Sequence, residues 1–157
     1  MSALLEIEGM AITFASRRGD VEAVKGIDLA VESGEILGVV GESGAGKSTI
    51  GNAVMGLLEP PGRMVAGRLR LRGERIDDLD REAMRRIRGK RIAMIFQDPQ
   101  TSLNPLETIS DQLVDTMRTH LRLSEREARG RAVGLLEQVG IPNPEARVDD
   151  YPHQFSG

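Results

Sequence analysis

Gly41-Glu42-Ser43-Gly44-Ala45-Gly46-Lys47-Ser48-Thr49 fits the pattern G-x-x-x-x-G-K-[ST] without a mismatch. Glycines let the backbone curl until successive N–H groups point inward, which makes a concave anion nest at a helix N-terminus. Lys47 adds a mobile positive charge, and the Ser48 hydroxyl, one residue into the helix, is placed to enter the shell of a Mg²⁺ ion on a triphosphate, with Thr49 nearby. The flanks have the required order. Glu35 to Val40 reads as a short buried strand before the loop, and Ile50, Val54 and Leu57 recur at helical spacing after it. A dinucleotide-binding loop is excluded, because Thr49 stands where the third glycine of G-x-G-x-x-G belongs.

Working outward, Leu5, Ile7, Met10, Ile12 and Phe14 follow the two-residue period of a strand interrupted at Gly9, where a bulge is expected. A polar turn at 16–20 leads to a second alternating run that Ser33-Gly34 ends, giving an antiparallel hairpin. Past Pro60-Pro61-Gly62, Val65, Leu69 and Leu71 form another antiparallel strand ending at Arg72-Gly73-Glu74. Asp80 is the expected cap of a short helix, with Leu79, Ala83, Met84 and Ile87 on one face and Gly89 at its stop. Six basic residues between Arg81 and Arg91 have Asp77, Asp78, Asp80 and Glu82 as acidic neighbours, the pattern of a solvated helix face rather than a nucleic-acid surface.

Ile92 to Phe96 is a continuous apolar run, as in a strand buried on both faces of a parallel sheet. Gln97 ends it, at the sheet edge where open α/β sheets bind ligands. Two helices follow. Thr108 with Asp111 and Ser124 with Glu127 have capping-box spacing. Ile109, Leu113, Met117 and Leu121 form one apolar stripe, and Ala128, Ala132, Leu135, Leu136 and Val139 the other, so the helices are expected to face each other. Gly140 and Pro142 stop the second helix, and Pro142-Asn143-Pro144 is a rigid turn.

The 157 residues are 39% hydrophobic and 29% charged, ordinary for a soluble globular protein. There is no cysteine, which fits a reducing compartment and a cytoplasmic location. No leader and no apolar run near the roughly 20 residues needed to span a bilayer is present, so membrane association is expected to go through a partner. A net charge of −3 with 3% aromatics argues against nucleic acid as a partner. Two histidines without paired spacing argue against a protein-held zinc site.

With the glycine-rich loop, Phe96-Gln97-Asp98-Pro99, Ser102-Leu103-Asn104-Pro105 and Gln154-Phe155-Ser156-Gly157 in hand, the chain resembles the ATP-binding subunit of ABC transporters. It looks most like the oligopeptide, dipeptide and nickel importer branch. The resemblance covers nearly the whole chain. It implies an α/β P-loop NTPase fold with an N-terminal antiparallel β portion (1–34 and 63–75), a P-loop core (35–62 and 76–99) and a helical subdomain (100–157), the core sheet being incomplete in this chain.

The resemblance further implies that Lys47 and Gln97 are the catalytic groups, that Ser48 and Gln97 hold Mg²⁺, and that Gly41 through Thr49 cradle the phosphates of ATP. Phe14 would stack on adenine; family members often carry tyrosine there, and phenylalanine offers the same ring face. Ser156 and Gly157 would open the signature that completes a second subunit's site in a head-to-tail dimer. An integral membrane permease would be gripped by the helical subdomain on the cytoplasmic face of the membrane, and the transported solute would be a peptide or nickel. The expected Walker B aspartate, catalytic glutamate and switch histidine are not among these residues. Asp149-Asp150 follows a polar stretch and is not read as Walker B. The chain is therefore expected to be the N-terminal part of a longer protein, inactive in ATP hydrolysis alone. A soluble ABC-type ATPase without a permease and a non-catalytic nucleotide-binding module remain alternatives.

Overall fold

A computed structural model describes residues 3–97 and 102–155. The chain divides into two compact units, one through Arg88 and one from Gly89.

The first unit is built on a four-stranded antiparallel sheet in the order β2-β1-β3-β4, from β1 (Leu5–Phe14), β2 (Val21–Val31), β3 (Gly62–Leu71) and β4 (Glu74–Arg75). The expected irregularity at Gly9 is there: the β1–β2 register shifts between Ile7 and Met10, and Gly9 has φ 56°. Its freed N–H donates to the Asp28 carboxylate at 2.7 Å. Two helices complete the unit, α1 (Lys47–Val54) and α2 (Arg81–Ile87). Ile7, Met10, Ile12, Val24, Leu69 and Leu71 of the sheet are buried, as are Ala53 and Val54 of α1 and Met84 and Ile87 of α2. Asp80 caps α2 as expected, accepting from the Ala83 N–H at 2.7 Å.

Two side chains of the expected solvated face do other work. Arg88 donates to the Met55 and Gly56 carbonyls at 2.6 and 2.9 Å, placing positive charge at the C-terminal end of α1, where unpaired carbonyls collect. The Asp77 side chain is 8% exposed and accepts the Leu69 N–H at 2.8 Å. Burial pushes its carboxyl upward, but the Arg75 guanidinium and the Leu69 N–H outweigh that and hold it below the usual carboxylate range. Glu82, by contrast, pairs with Arg85 and Arg86 on the helix surface as the charge pattern implied.

The two expected core strands are not formed. Residues 36–40 pair with no strand among the described residues, and Ile36 and Val40 are 98% and 93% exposed. In the second unit, Ile92 closes a tight turn by accepting the Gly89 N–H at 2.9 Å, and Ile95 beyond it is 92% exposed. Strands flanked by neighbours on both edges need those neighbours to satisfy their ladder groups and cover their apolar faces, and no described segment provides them. The sheet that does form in the first unit is the antiparallel one, in which the neighbouring strands β1–β2 and β3–β4 are joined through the long-range β1–β3 pair.

The second unit carries α3 (Ile109–His120), α4 (Glu125–Gln138), a short α5 (Pro144–Arg147) and a 3₁₀ turn (Pro152–Gln154). Both capping boxes are present: Thr108 and Asp111 bond reciprocally, as do Ser124 and Glu127. The helices do face each other, but the buried set is Val114, Met117, Ala128, Ala132 and Leu136, joined by Val148. Leu121 and Val139 fall outside it, at 39% and 73% exposed, because both lie at helix ends where the chain turns away. After the turn at Asn143, with φ 52°, the chain forms α5, which the spacing did not predict.

Candidate nucleotide-binding site

The loop Gly41–Gly46 runs into the first turn of α1. Ala45 N–H donates to the Glu42 carbonyl at 3.2 Å, tightening the loop, and Gly44 and Gly46 have φ 82° and 85°. Gly46 is constrained twice. A Cβ there would lie 2.6 Å from the Ala23 carbonyl oxygen of β2 and 3.2 Å from Val24, so the loop is seated on a strand at a residue that has no side chain. At Gly44 a Cβ would meet nothing within 4 Å, so only its backbone conformation asks for glycine.

Gly46 is also the N-cap of α1 and has no side chain to cap it. The first N–H groups of a helix have no intrahelical acceptor, and here their partial positive charge is open to an anion. Lys47 folds back over the loop, its Nζ donating to the Gly41 and Glu42 carbonyls at 2.7 and 2.5 Å. Those bonds set the ammonium above the loop. The Ser48 residue is exposed and Thr49 half-buried. Phe14 ends β1 half-buried opposite Gly62 of β3, where an added Cβ would lie 2.6 Å from its Cε1. Its ring lies against bare backbone.

Gln97 is exposed and belongs to the second unit. Asp98 and Pro99, and Ser156 and Gly157, lie outside the described residues. Asp149 and Asp150, not read as Walker B, are engaged by arginines: Asp149 by Arg129 and Asp150 by Arg147. His153 stacks on Tyr151 with ring centroids 5.8 Å apart.

The seating of the loop by Gly46, the helix opening behind it and the folded-back lysine together make this loop the candidate phosphate site. The family description that matches is "ABC transporter", over residues 24–157. The chain belongs to the ABC transporter family. It is 44% identical to the oligopeptide transport ATP-binding protein OppD of Bacillus subtilis, covering 100% of this chain and 44% of that protein. To the dipeptide transport ATP-binding protein DppD of Escherichia coli it is 42% identical, over 99% of this chain and 47% of the relative. Among solved structures, the dimeric MJ0796, a bacterial ABC transporter cassette, superposes with a TM-score of 0.82 at 26% identity, over 98% of this chain and 63% of that one. The likeness to the peptide-importer branch suggested by the motifs is thus met in the relatives. The chain spans about half the length of the curated relatives it matches.

The same superposition bears out the mixed α/β ABC-ATPase fold with its antiparallel N-terminal portion and helical part, the sheet not being closed. Among the described residues no helix is long and apolar enough to cross a membrane. Sequence reasoning missed Arg88, which holds the far end of the loop's helix, and Ala23, whose carbonyl the loop rests on. Neither has a local pattern that could have marked it.

Proposed function

We propose that this chain is the nucleotide-binding part of an ATPase subunit that couples ATP binding and hydrolysis to import of a peptide or similar small solute through a membrane permease. The observation that carries the reading is the Gly46 seat, with the open N-terminus of α1 and Lys47 above it. Gly41 to Thr49 bind the triphosphate, and Lys47 neutralises charge on its outer phosphates. Phe14 stacks on adenine from a ring surface held by Gly62.

The residues present suit magnesium. Among the described residues no three acidic or histidine side chains converge on a point, so a cation here takes its ligands from phosphate oxygens, water and hydroxyls, as Mg²⁺ commonly does. Ser48 and Gln97 would hold it, and it would supply positive charge that neutralises charge developing on the phosphates. Gln97 also orients the attacking water. Ser156 and Gly157 would complete a second subunit's nucleotide site in a head-to-tail dimer; the dimeric cassette named above supports the pairing of two subunits.

In this reading the chain divides into the antiparallel portion (1–34 and 63–75), the loop core (35–62 and 76–99) and the helical part (100–157). The helical part meets the permease on the cytoplasmic face. The likeness of nearly the whole chain to ATP-binding proteins of oligopeptide and dipeptide transport supports a permease over a soluble ATPase.

Lys47→Ala in the full-length protein tests the site. Losing a charge-assisted contact of roughly 1.5–3 kcal/mol should weaken ATP binding about 10- to 100-fold by calorimetry. Parental affinity in that variant would remove the loop from the site.

A further inference from the structure

We propose that Arg129 is a positioning residue for the segment leading to Ser156, clasping it to α3 and α4 so that the three move as one piece. The proposal rests on the reading of Ser156 and Gly157 as the part of the site offered to a second subunit.

Arg129 projects from α4, and its guanidinium takes both oxygens of Asp149 at 2.5 and 2.6 Å, the fork geometry that fixes two groups in plane as well as in distance. The same Nη1 donates to the hydroxyl of Ser110 in the first turn of α3 at 3.1 Å, and Ser110 is buried, at 6% exposed. One side chain thus touches all three pieces. The segment is fastened on either side of Asp149 as well. The Val148 and Asp150 carbonyls accept the Ser110 and Ile109 N–H groups at 2.7 and 3.0 Å, which uses two donors that a helix start leaves unpaired. Val148 is fully buried between the helices.

Beyond Asp150 the ordering continues. Arg147 pairs with Asp150 at 2.8 Å, donates to the Gln154 carbonyl at 3.0 Å and lies 4.4 Å from the centre of the Phe155 ring. Phe155 is the residue before Ser156. Arg129 is held charged by Asp149, and Asp149 is held below the usual carboxylate range by Arg129, so the clasp stays ionised through the neutral range. A displacement of α3's first turn, which follows Gln97 in the chain, therefore carries the segment through Phe155 with it, up to the residue before Ser156, instead of being absorbed by a loose connection.

The test uses the full-length protein in its transporter complex, measuring kcat and KM for ATP, with nucleotide affinity measured on the isolated full-length subunit. In Arg129→Ala, kcat should fall about tenfold, the cost of one fork-type charged contact, while isolated-subunit affinity stays within about twofold. The exchange Arg129→Asp with Asp149→Arg rebuilds the pair, the Ser110 hydroxyl then donating instead of accepting, and should recover most of the lost turnover. Parental kcat in Arg129→Ala, or no recovery in the exchange, overturns the proposal. Should Arg129→Ala fail to fold, Asp149→Asn keeps the shape and removes the charge, and parental kcat there overturns it equally. Ser156→Arg separates the two levels: if it leaves turnover intact, the reading of Ser156 fails; if it abolishes turnover while Arg129→Ala does not lower it, only the clasp fails.

Discussion

Gly46→Ala and Gly44→Ala form a matched pair within one loop. Both glycines sit in the left-handed region, at φ 85° and 82°, so both alanines carry about 1–2 kcal/mol of backbone strain. Against that stands a gain of about 0.4–1 kcal/mol from a stiffer unfolded chain, common to both. Gly44→Ala should therefore destabilise by about 1 kcal/mol. At Gly46 the new Cβ must also displace the Ala23 carbonyl oxygen from 2.6 Å, and that atom belongs to a paired strand that does not yield like a side-chain tip. Overpacking against fixed atoms adds about 1–3 kcal/mol, giving roughly 3 kcal/mol in all. Urea unfolding of the full-length protein reads the difference as a lower midpoint at unchanged slope. Because relief of the clash lifts the loop off β2, ATP affinity should fall further in Gly46→Ala than in Gly44→Ala. Equal midpoints and equal affinities for the two variants would refute the seating of the loop on Ala23.

Gly62→Ala should push the Phe14 ring off β3 and weaken ATP binding by about 2- to 10-fold, as loss of one ring-stacking contact does, while leaving tripolyphosphate binding unchanged. An unaltered ratio of the two affinities would remove Phe14 from the adenine site. Asp77 has a lowered pKa in the fold, so its contribution to stability is complete above the ordinary carboxylate value of 3.8 and is lost as pH falls through and below it. Asp77→Asn should flatten the acid limb of the pH–stability curve in that range, and an unchanged limb would show that Asp77 does not link folding to protons.

What could be read from the sequence was what is decided within a few positions. The Thr108 and Ser124 capping boxes, the Asp80 cap and the Gly9 bulge each depend on residues at most four apart, or on one glycine, and all appear in the fold. Arg88, Asp77 and Arg129 were hidden because their partners are distant: 33 positions separate Arg88 from Met55, 8 separate Asp77 from Leu69, and 20 separate Arg129 from Asp149. A charged residue on a helix looks solvated until the fold brings it an acceptor. The apolar runs before the loop and before Gln97 failed for the converse reason. Their composition specifies a strand, but a strand exists only as a pair, and composition does not provide the partner. The loop itself was legible because the motif encodes the backbone directly, two glycines at positive φ and a lysine at fixed offset.

The Gly41–Gly46 loop owes its position to α1, and α1 is eight residues long, too short to be stable alone in water. Tertiary contacts at each end must therefore hold it. At the N-terminal end the hold is steric, since Gly46 rests on the carbonyl of Ala23 and cannot sink further without collision. At the C-terminal end it is electrostatic, since the Arg88 guanidinium bonds the Met55 and Gly56 carbonyls. An anion arriving at the first turn of α1 strengthens the N-terminal side of the same dipole that Arg88 complements at the other, so ligand and arginine stabilise one helix from opposite ends. The antiparallel sheet and the C-cap of α2 thus determine where the loop stands, even though neither lies within the loop. That is why substitutions in β2 or at Arg88 should register in nucleotide affinity at a site they do not touch.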